Sequence, residues 1–357
     1  MKKSKIVCIL LAAVLLLSLM ACAAETESTP ADSTAPADGG GNEPIEDFFV
    51  GLAFGGLDAT PTVKMHYLTE MMDELGWRYV VTNGDLDFNK YVGDLESLVQ
   101  QNPDLILTRP VNDLANERAV QIATEAGIPI IIMASMTVVE GYDYLGHVGD
   151  PELLRGIPLA HWLNDYIDAN PGFVPKIGFL VGNIGIDAPG ILHRSINIRE
   201  ELTHPWEDVI TTEAVPNWMA SGGMSVAEDW LQRYTIDEMN TYLVWSDEMA
   251  VGVVQALQSA GKEPGEILVL SYDGLPLIMD YVEQGWVSAA SAFDLRRYSE
   301  VVIDMASKVR EGRSDEIDFL TYAHTIYILD QSNVVGVRDG TLVPDFWDYS
   351  ALLEDYR

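Results

Sequence analysis

The chain has 357 residues, of which 48% are hydrophobic, and its 55 acidic residues against 21 Lys and Arg give a formal net charge of -34. One hydrophobic core stops growing at roughly 250 to 300 residues, so we expect a chain of this length to fold into two lobes. The large excess of acidic residues argues against nucleic acid and anionic lipid headgroups as partners.

Residues 1–21 have the pattern of a secretory signal. Lys2, Lys3 and Lys5 precede an apolar run over residues 6–20 that is too short, and wrongly flanked, for a stable transmembrane helix. The run ends in Leu-Met-Ala-Cys at positions 19–22, which resembles a bacterial lipobox, where the cysteine is acylated and becomes the first mature residue. We therefore expect export and a lipid anchor at Cys22. An ordinary cleavable signal with an incidental cysteine is the alternative.

Residues 22–47 are predicted to be a flexible tether behind that cysteine. The segment is poor in apolar residues and rich in Ser, Thr, Pro, Gly and acids, so it cannot bury enough surface to fold alone. As a flexible coil it would hold the folded part about 25 to 30 Å from Cys22.

Strand and helix patterns alternate through the rest of the chain. Buried-strand runs are predicted at residues 48–54, 79–82, 105–108, 128–133, 176–181, 209–214, 242–245, 267–270, 288–292 and 325–329. Helical spacing of apolar residues is found at 65–75, 91–101, 114–126, 153–167, 192–202, 226–234, 249–257, 277–284 and 298–311. This alternation predicts an α/β fold with doubly wound parallel sheets.

Acidic residues follow two of the predicted strands. Asp247 comes after the strand at 242–245, and Asp273 after the strand at 267–270, with Gly274 allowing a tight turn. In open parallel sheets, ligands bind at the carboxyl ends of the strands, so both acids are candidate ligand residues. An Asp just before a helix is usually an N-cap, and for Asp247 capping is the favoured interpretation.

Several segments taken together resemble the type I periplasmic sugar-binding proteins of the ribose-binding group. They are GWRYVVTNGDLDFNKYVGDLESLVQQNPDLILTRPVND, EAGIPIII, WSDEMAVGVVQALQSAGK, VLSYDGLP and VEQGWVSAASAF, in order between residue 48 and about residue 330. The resemblance implies two Rossmann-like lobes joined by three hinge crossings, with a ligand clamped between them. It predicts an N-terminal lobe of residues 48–148 plus 294–323 and a C-terminal lobe of residues 149–293 plus 324–357.

The resemblance also implies ligand residues in the second lobe. Arg194 matches an arginine that the group keeps, and Trp218 falls where an aromatic residue stacks on the sugar. Ser246 and Asp247 stand in place of the group's Asn-Asp pair, and Asp273 matches the Asp of its Phe-Asp-Gly. The alternative for Trp218 is a position in the core.

The first lobe and the hinge depart from the group's pattern. Asp58 stands where an Asn-rich aromatic loop is usual, and Arg109 stands where many relatives have Asn before Pro. Ala134 and Ser135 stand in place of an Asp-Arg pair, and Phe293 stands in place of a glutamine at the second crossing. These departures keep the predicted class of protein but put ribose itself in doubt.

The predicted ligand is a neutral sugar or polyol. A flat aromatic ring suits the apolar face of a sugar, and charged side chains bind its hydroxyls strongly, which Trp218, Arg194 and Asp273 would provide. If Arg109 faced Arg194 across the cleft, two cations would need compensation, either from Asp58 and Asp273 or from a carboxylate on the ligand. We favour the neutral ligand, and a sugar acid stays open.

Other motifs carry no chemistry in this interpretation. Residues 85–96 nearly match a calcium loop, but Lys90 stands where the loop needs Gly, so capping of a helix is favoured. We predict no metal, no cofactor and no catalytic nucleophile, hence no enzyme.

The predicted function is therefore a solute-binding lipoprotein, anchored outside the cell membrane, that captures a carbohydrate and delivers it to an ABC permease. The expected partners are a small carbohydrate, the permease subunits and, through the lipid anchor, the membrane, with the protein itself a monomer. A sensor component that presents its ligand to a membrane kinase or chemoreceptor is the alternative.

Overall fold

A computed structural model describes residues 45–134, 139–142, 144–149, 154–182, 197–323 and 325–347. The signal at 1–21 and the tether up to residue 44 lie outside the described residues, as do Cys22, Ser135 and Arg194. Within the described ranges, no helix is long and apolar enough to cross a membrane.

Six strands form the first sheet. They are β1 (Phe49–Phe54), β2 (Arg78–Asn83), β3 (Leu105–Arg109), β4 (Ile130–Ala134), β5 (Gly146–Gly149) and β11 (Leu320–Tyr322). Their order is β11-β5-β4-β3-β1-β2, and every neighbouring pair is parallel. Helices α1 (Ala59–Glu74), α2 (Phe88–Val99), α3 (Asp113–Glu125) and α10 (Leu295–Arg310) pack on this sheet, and together they make what we call the first lobe.

Both faces of the first sheet are buried, as alternate residues of its strands show. On β1, Val50, Leu52 and Phe54 join the apolar cluster that includes residues of α1 and α10, while Ala53 joins the cluster that includes residues of α2 and α3. A parallel sheet covered on both faces needs apolar residues at every position, which explains the continuous apolar runs of the sequence.

Six further strands form the second sheet. They are β6 (Ile177–Leu180), β7 (Ile210–Ala214), β8 (Thr241–Val244), β9 (Leu268–Asp273), β10 (Ala289–Phe293) and β12 (Ile326–Asp330), in the order β12-β10-β9-β8-β6-β7. Strand β12 is antiparallel to β10, and the other pairs are parallel.

The helices that follow the second sheet's strands complete the second lobe. They are α4 (Gly156–Ala169), α5, which includes residues 197–201, α6 (Trp206–Val209), α7 (Ala220–Arg233), α8 (Asp247–Ser259), α9 (Pro276–Glu283) and α11 (Val334–Arg338), and a 3₁₀ turn (Ser314–Glu316) precedes β11. A single apolar cluster joins the second sheet to most of these helices.

The chain crosses between the two lobes three times. It leaves the first sheet after β5 and enters the second lobe at α4, returns between Phe293 of β10 and Leu295 of α10, and crosses again between β11 and β12. The predicted fold class of two Rossmann-like lobes joined by a three-crossing hinge is confirmed. The lobe boundaries proposed from the sequence, at residues 148/149, 293/294 and 323/324, stay a prediction.

Several elements differ from the sequence-based prediction, which also lacked the short helices α6 and α11. Strands β5 and β11 were not predicted, because four and three residues give too short a periodic signal. Helix α7 begins at Ala220, six positions before the predicted start at 226, because Gly222 and Gly223 obscure the helical pattern. A Cβ at Gly223 would lie 2.1 Å from the Met249 carbonyl oxygen, so this glycine allows α7 and α8 to pack closely.

Candidate functional site

A cleft of about 880 Å³ lies between the two lobes. Its walls are residues that follow β1, β2, β7 and β9, together with the first turns of α1, α8 and α9. The described lining residues are Leu57, Asp58, Ala59, Thr62, Val63, Asn83, Asp85 and Leu86 from the first lobe, and Met219, Glu248, Val251, Leu275, Pro276, Leu277 and Tyr281 from the second. The carboxyl ends of strands in two sheets therefore face one cavity, which is the usual place for a ligand in this kind of fold.

Asp58 and Glu248 bring carboxylates to the cleft from opposite lobes. Asp58 stands at the N-terminus of α1, and Glu248 lies in the first turn of α8. Burial raises the pKa of Glu248, and the negative charge of Asp58 raises it further. Among the candidate residues that the structure describes, Asp58 is the one that lines the cleft.

Ser246, and not Asp247, caps helix α8. The Ser246 hydroxyl accepts a hydrogen bond from the Met249 amide at 3.3 Å, so the interpretation of Asp247 as an N-cap was wrong. Asp247 is fully buried and accepts hydrogen bonds from the Ser271 hydroxyl at 2.6 Å and the Leu275 amide at 2.7 Å. Because Leu275 lines the cleft, the hydrogen bond from its amide to the buried Asp247 fixes the backbone of the cleft wall.

Burial makes the ionised form of Asp247 unfavourable. The pKa of its carboxyl is raised from 3.8 to about 8, first by desolvation and then by the negative charge of Asp273. The two hydrogen bonds and the nearby Arg155 oppose that shift without cancelling it.

Asp273 forms a buried ion pair with Arg155, a residue that the sequence analysis did not single out. Arg155 Nη2 donates to Asp273 Oδ1 at 2.8 Å and to the Ser291 carbonyl at 3.2 Å. Arg155 and Asp273 are 1% and 6% exposed. Asp273 also has a φ of +115°, a strained value for a non-glycine residue, and the turn continues through Gly274 at +69°.

Phe293, the candidate residue at the second crossing, is covered by cations from both lobes. The Arg155 guanidinium lies 4.5 Å from its ring centroid, and the Lys64 ammonium of α1 lies 5.5 Å from it. Lys64 is 1% exposed and lies 3.9 Å from the ring centroid of Tyr298. Cations placed so close to aromatic rings are attracted to them, which ties the lobes together at the hinge.

Trp218 lies against the second-lobe core. Its ring stacks on Trp245 with centroids 6.2 Å apart and planes at 20°, and a Cβ at Gly182 would lie 2.2 Å from it. The ring is partly exposed, so both the core role and the ligand role considered from the sequence remain compatible with its position.

Arg109 ends β3 and is partly buried, and no described residue makes a hydrogen bond or ion pair with its side chain. The predicted contact of Arg109 with Arg194 cannot be described, because Arg194 lies outside the described residues.

In the loop that resembles a calcium site, the Asp87 carboxylate accepts a hydrogen bond from the Lys90 amide at 2.7 Å and caps α2, as expected. Among the described residues, no group of three or more acids, histidines or cysteines could hold a metal ion.

Sequence reasoning missed Arg155, Lys64 and Glu248. Arg155 opens α4 after the first crossing, and Lys64 lies inside a helix where a lysine normally faces solvent, so neither carries a local signal. Glu248 could have been found, because it directly follows the acid already selected at Asp247 in a strand-to-helix turn.

The geometry defines a two-lobed binding protein that takes its ligand between the lobes. The family model of the periplasmic binding protein domain matches residues 66–314 of this chain. The protein belongs to this family.

Curated relatives align over most of the chain. The ribose import binding protein RbsB of Salmonella typhimurium is 25% identical over 240 residues, which are 67% of this chain and 77% of the relative. The ribose import binding protein RbsB of Bacillus subtilis is 23% identical over 297 residues, covering 83% of this chain and 90% of the relative.

Solved structures share the fold. The binding component of the arabinose ABC transporter from Shewanella, bound to L-arabinofuranose, has a TM-score of 0.70 and 19% identity, covering 82% of this chain and 95% of its own. A myo-inositol binding protein from Caulobacter has a TM-score of 0.70 and 17% identity, covering 84% and 99%. At these identities the likeness supports the architecture and not a particular ligand.

Proposed function

We propose that this protein captures a carbohydrate in the interlobe cleft and delivers it to an ABC permease. The observation that carries the proposal is a cavity of about 880 Å³ walled by residues after β1 and β2 on one side and after β7 and β9 on the other. Relatives named for ribose import, at 23% to 25% identity, support a sugar-sized ligand. The protein binds its ligand and does not transform it.

The cleft offers both kinds of contact that a sugar uses. Val63, Leu277 and Tyr281 supply apolar and aromatic surface, and Asp58 and Glu248 supply acceptors for hydroxyl or amine hydrogens. Asp273, Trp218, Ser246 and Phe293 lie at or behind the same strand ends, where they support the shape of the cleft.

A thermal-shift screen against pentoses, hexoses, polyols and sugar acids tests the proposal. A ligand at 100 times its Kd should add about 2.7 kcal/mol to the free energy of unfolding. Val251→Trp should fill the cleft and abolish the shift, whereas Val335→Trp, which changes an exposed residue of α11, should keep it. No shift with any carbohydrate, or an equal shift in Val251→Trp, would count against the function.

We further propose that the protein is a monomeric lipoprotein held outside the cell membrane by an acylated Cys22. The lipobox-like residues 19–22, the basic and apolar segment before them and the polar tether behind them support the lipid anchor. Cys22→Ser should move the protein from the membrane fraction to the soluble fraction. Unchanged partitioning would contradict the anchor without touching the ligand-binding proposal.

A further inference from the structure

One carboxylate oxygen of Asp58 is buried at the wall of the cleft. Its Oδ1 atom has no hydrogen-bond partner among the described residues. Asp58 occupies the N-cap position of α1, yet its side chain makes no capping hydrogen bond, so it does not serve the helix it precedes. A buried acceptor that makes no hydrogen bond is unfavourable, and a ligand donor would remove that penalty.

Glu248 faces Asp58 from the other lobe. Both residues line the same cavity, and the charge of Asp58 is the second cause, after burial, of the raised pKa of Glu248. Within the described chain, neither carboxylate forms an ion pair with a lysine, arginine or histidine. Each lies at a helix N-terminus, where the helix dipole stabilises a negative charge only weakly.

Two other acids of this region are compensated by cations. Asp273 is bound by Arg155 at 2.8 Å, and the Asp85 carboxylate lies 3.5 Å from the Lys90 ammonium. None of the described residues that line the cleft is a lysine, arginine or histidine. Among the described residues that line the cleft, the acids without a cation partner are therefore Asp58 and Glu248.

We propose that the ligand carries a protonated amine that binds between Asp58 and Glu248, so that the carbohydrate is an amino sugar or an amino polyol. This inference rests on the proposed function of carbohydrate capture. When the lobes close on a neutral ligand, two like charges enter a poorly solvated cleft whose described lining residues include no cation. An ammonium group has three donors and balances that charge with charge-assisted hydrogen bonds, while Val63 and Leu277 contact the carbon skeleton.

Calorimetry with the full-length protein and matched ligand pairs tests the inference. Each pair is a 2-amino-2-deoxy hexose and its parent hexose, or an amino cyclitol and its parent cyclitol. For the pair that binds most tightly, we expect the amine to bind at least tenfold more tightly than the hydroxyl compound. Asp58→Asn and Glu248→Gln should each reduce that ratio at least threefold, and the double variant should abolish it.

Glu70→Gln is the matched control. It removes one negative charge from the same helix, α1, where Glu70 pairs with Arg296 at 3.1 Å outside the cleft, and it should leave the ratio unchanged. The proposal of an amine ligand would be overturned by an amine-to-hydroxyl affinity ratio near or below one in the wild type, or by a ratio that the double variant keeps. Neither result would contradict carbohydrate capture. No binding by any member of either set would overturn both.

Discussion

Arg155 and Asp273 form a buried ion pair between residues 118 positions apart in the chain, with Nη2 and Oδ1 separated by 2.8 Å. The pair joins the start of α4, just after the first lobe crossing, to the strained end of β9. The acid that the sequence indicated as an acceptor for ligand hydroxyls is thus held by a cation of the protein itself. A ligand that reached Asp273 would meet a carboxylate already oriented by Arg155.

We predict that Arg155→Met destabilises the protein by about 3 to 5 kcal/mol, because it leaves the Asp273 carboxylate buried without its cation. Urea unfolding of the purified variants measures the change. Arg338→Met is the control, because Arg338 pairs with Glu283 at a surface position where solvent screens such pairs and they contribute little to stability.

The double variant Arg155→Met, Asp273→Asn should recover part of the loss, because the remaining side chain is neutral and asparagine tolerates a positive φ. If the two single changes were simply additive in the double variant, the pair would not be coupled and the explanation would fail.

We predict that Asp247→Asn changes how stability depends on pH. Folding raises the pKa of Asp247 from 3.8 to about 8, so the folded state binds this proton more tightly than the unfolded state does. The stability from this proton is fully present near pH 4 and is lost as the pH rises toward 8. Asp247→Asn keeps the shape and carries no such proton, so its free energy of unfolding should rise relative to wild type between pH 4 and 8. A constant difference across that range would contradict the prediction.

We predict opposite effects from adding the same methyl group at two glycines. Gly182→Ala would place a Cβ 2.2 Å from the Trp218 ring, so the indole must move, and overpacking should lower stability by about 1 to 3 kcal/mol. Gly93→Ala meets nothing within 4 Å inside helix α2 and should raise stability by up to about 1 kcal/mol. Thermal unfolding of both variants, with near-ultraviolet circular dichroism to follow the tryptophans, decides the matter.

We predict that the two lobes close on the ligand by hinging near residues 147–151, 293–294 and 322–324. These are the three places where the chain passes between the sheets. Small-angle scattering should show a smaller radius of gyration when the best carbohydrate from the thermal-shift screen is saturating. Val251→Trp should show no such ligand-dependent change, and a wild-type protein that does not compact would argue against hinged closure.

Much of the fold could be predicted from the sequence because its signals are local. Residues 128–133 and 242–245 are apolar at nearly every position, which indicates strands buried on both faces, and β4 and β8 lie at those positions. Strands β5 and β11 were not predicted, because they are short and pair with each other only when distant parts of the chain meet. Helix α7 was placed too late because its glycines look like a turn until α8 packs against them.

The position of the site could be predicted from the sequence, but the residues that interact with each of its acids could not. Strand ends meet at one edge of a parallel sheet, so Asp247 and Asp273 could be selected from the chain alone, and the family resemblance added Asp58. Which of them is held by buried hydrogen bonds, which forms a buried ion pair and which faces the cleft depends on residues far away in sequence, namely Ser271 for Asp247, Arg155 for Asp273 and Glu248 for Asp58.

By itself, therefore, the sequence determined the α/β class, the two lobes and the strand ends where a ligand would bind, because hydrophobic periodicity and turn residues act over a few neighbouring positions. The tertiary structure decided the charge balance of the cleft. The burial of a carboxyl and its distance from other charges set its pKa and determine which cation compensates it. Burial and distance are fixed only when segments more than a hundred residues apart pack together, as those of Arg155 and Asp273 do.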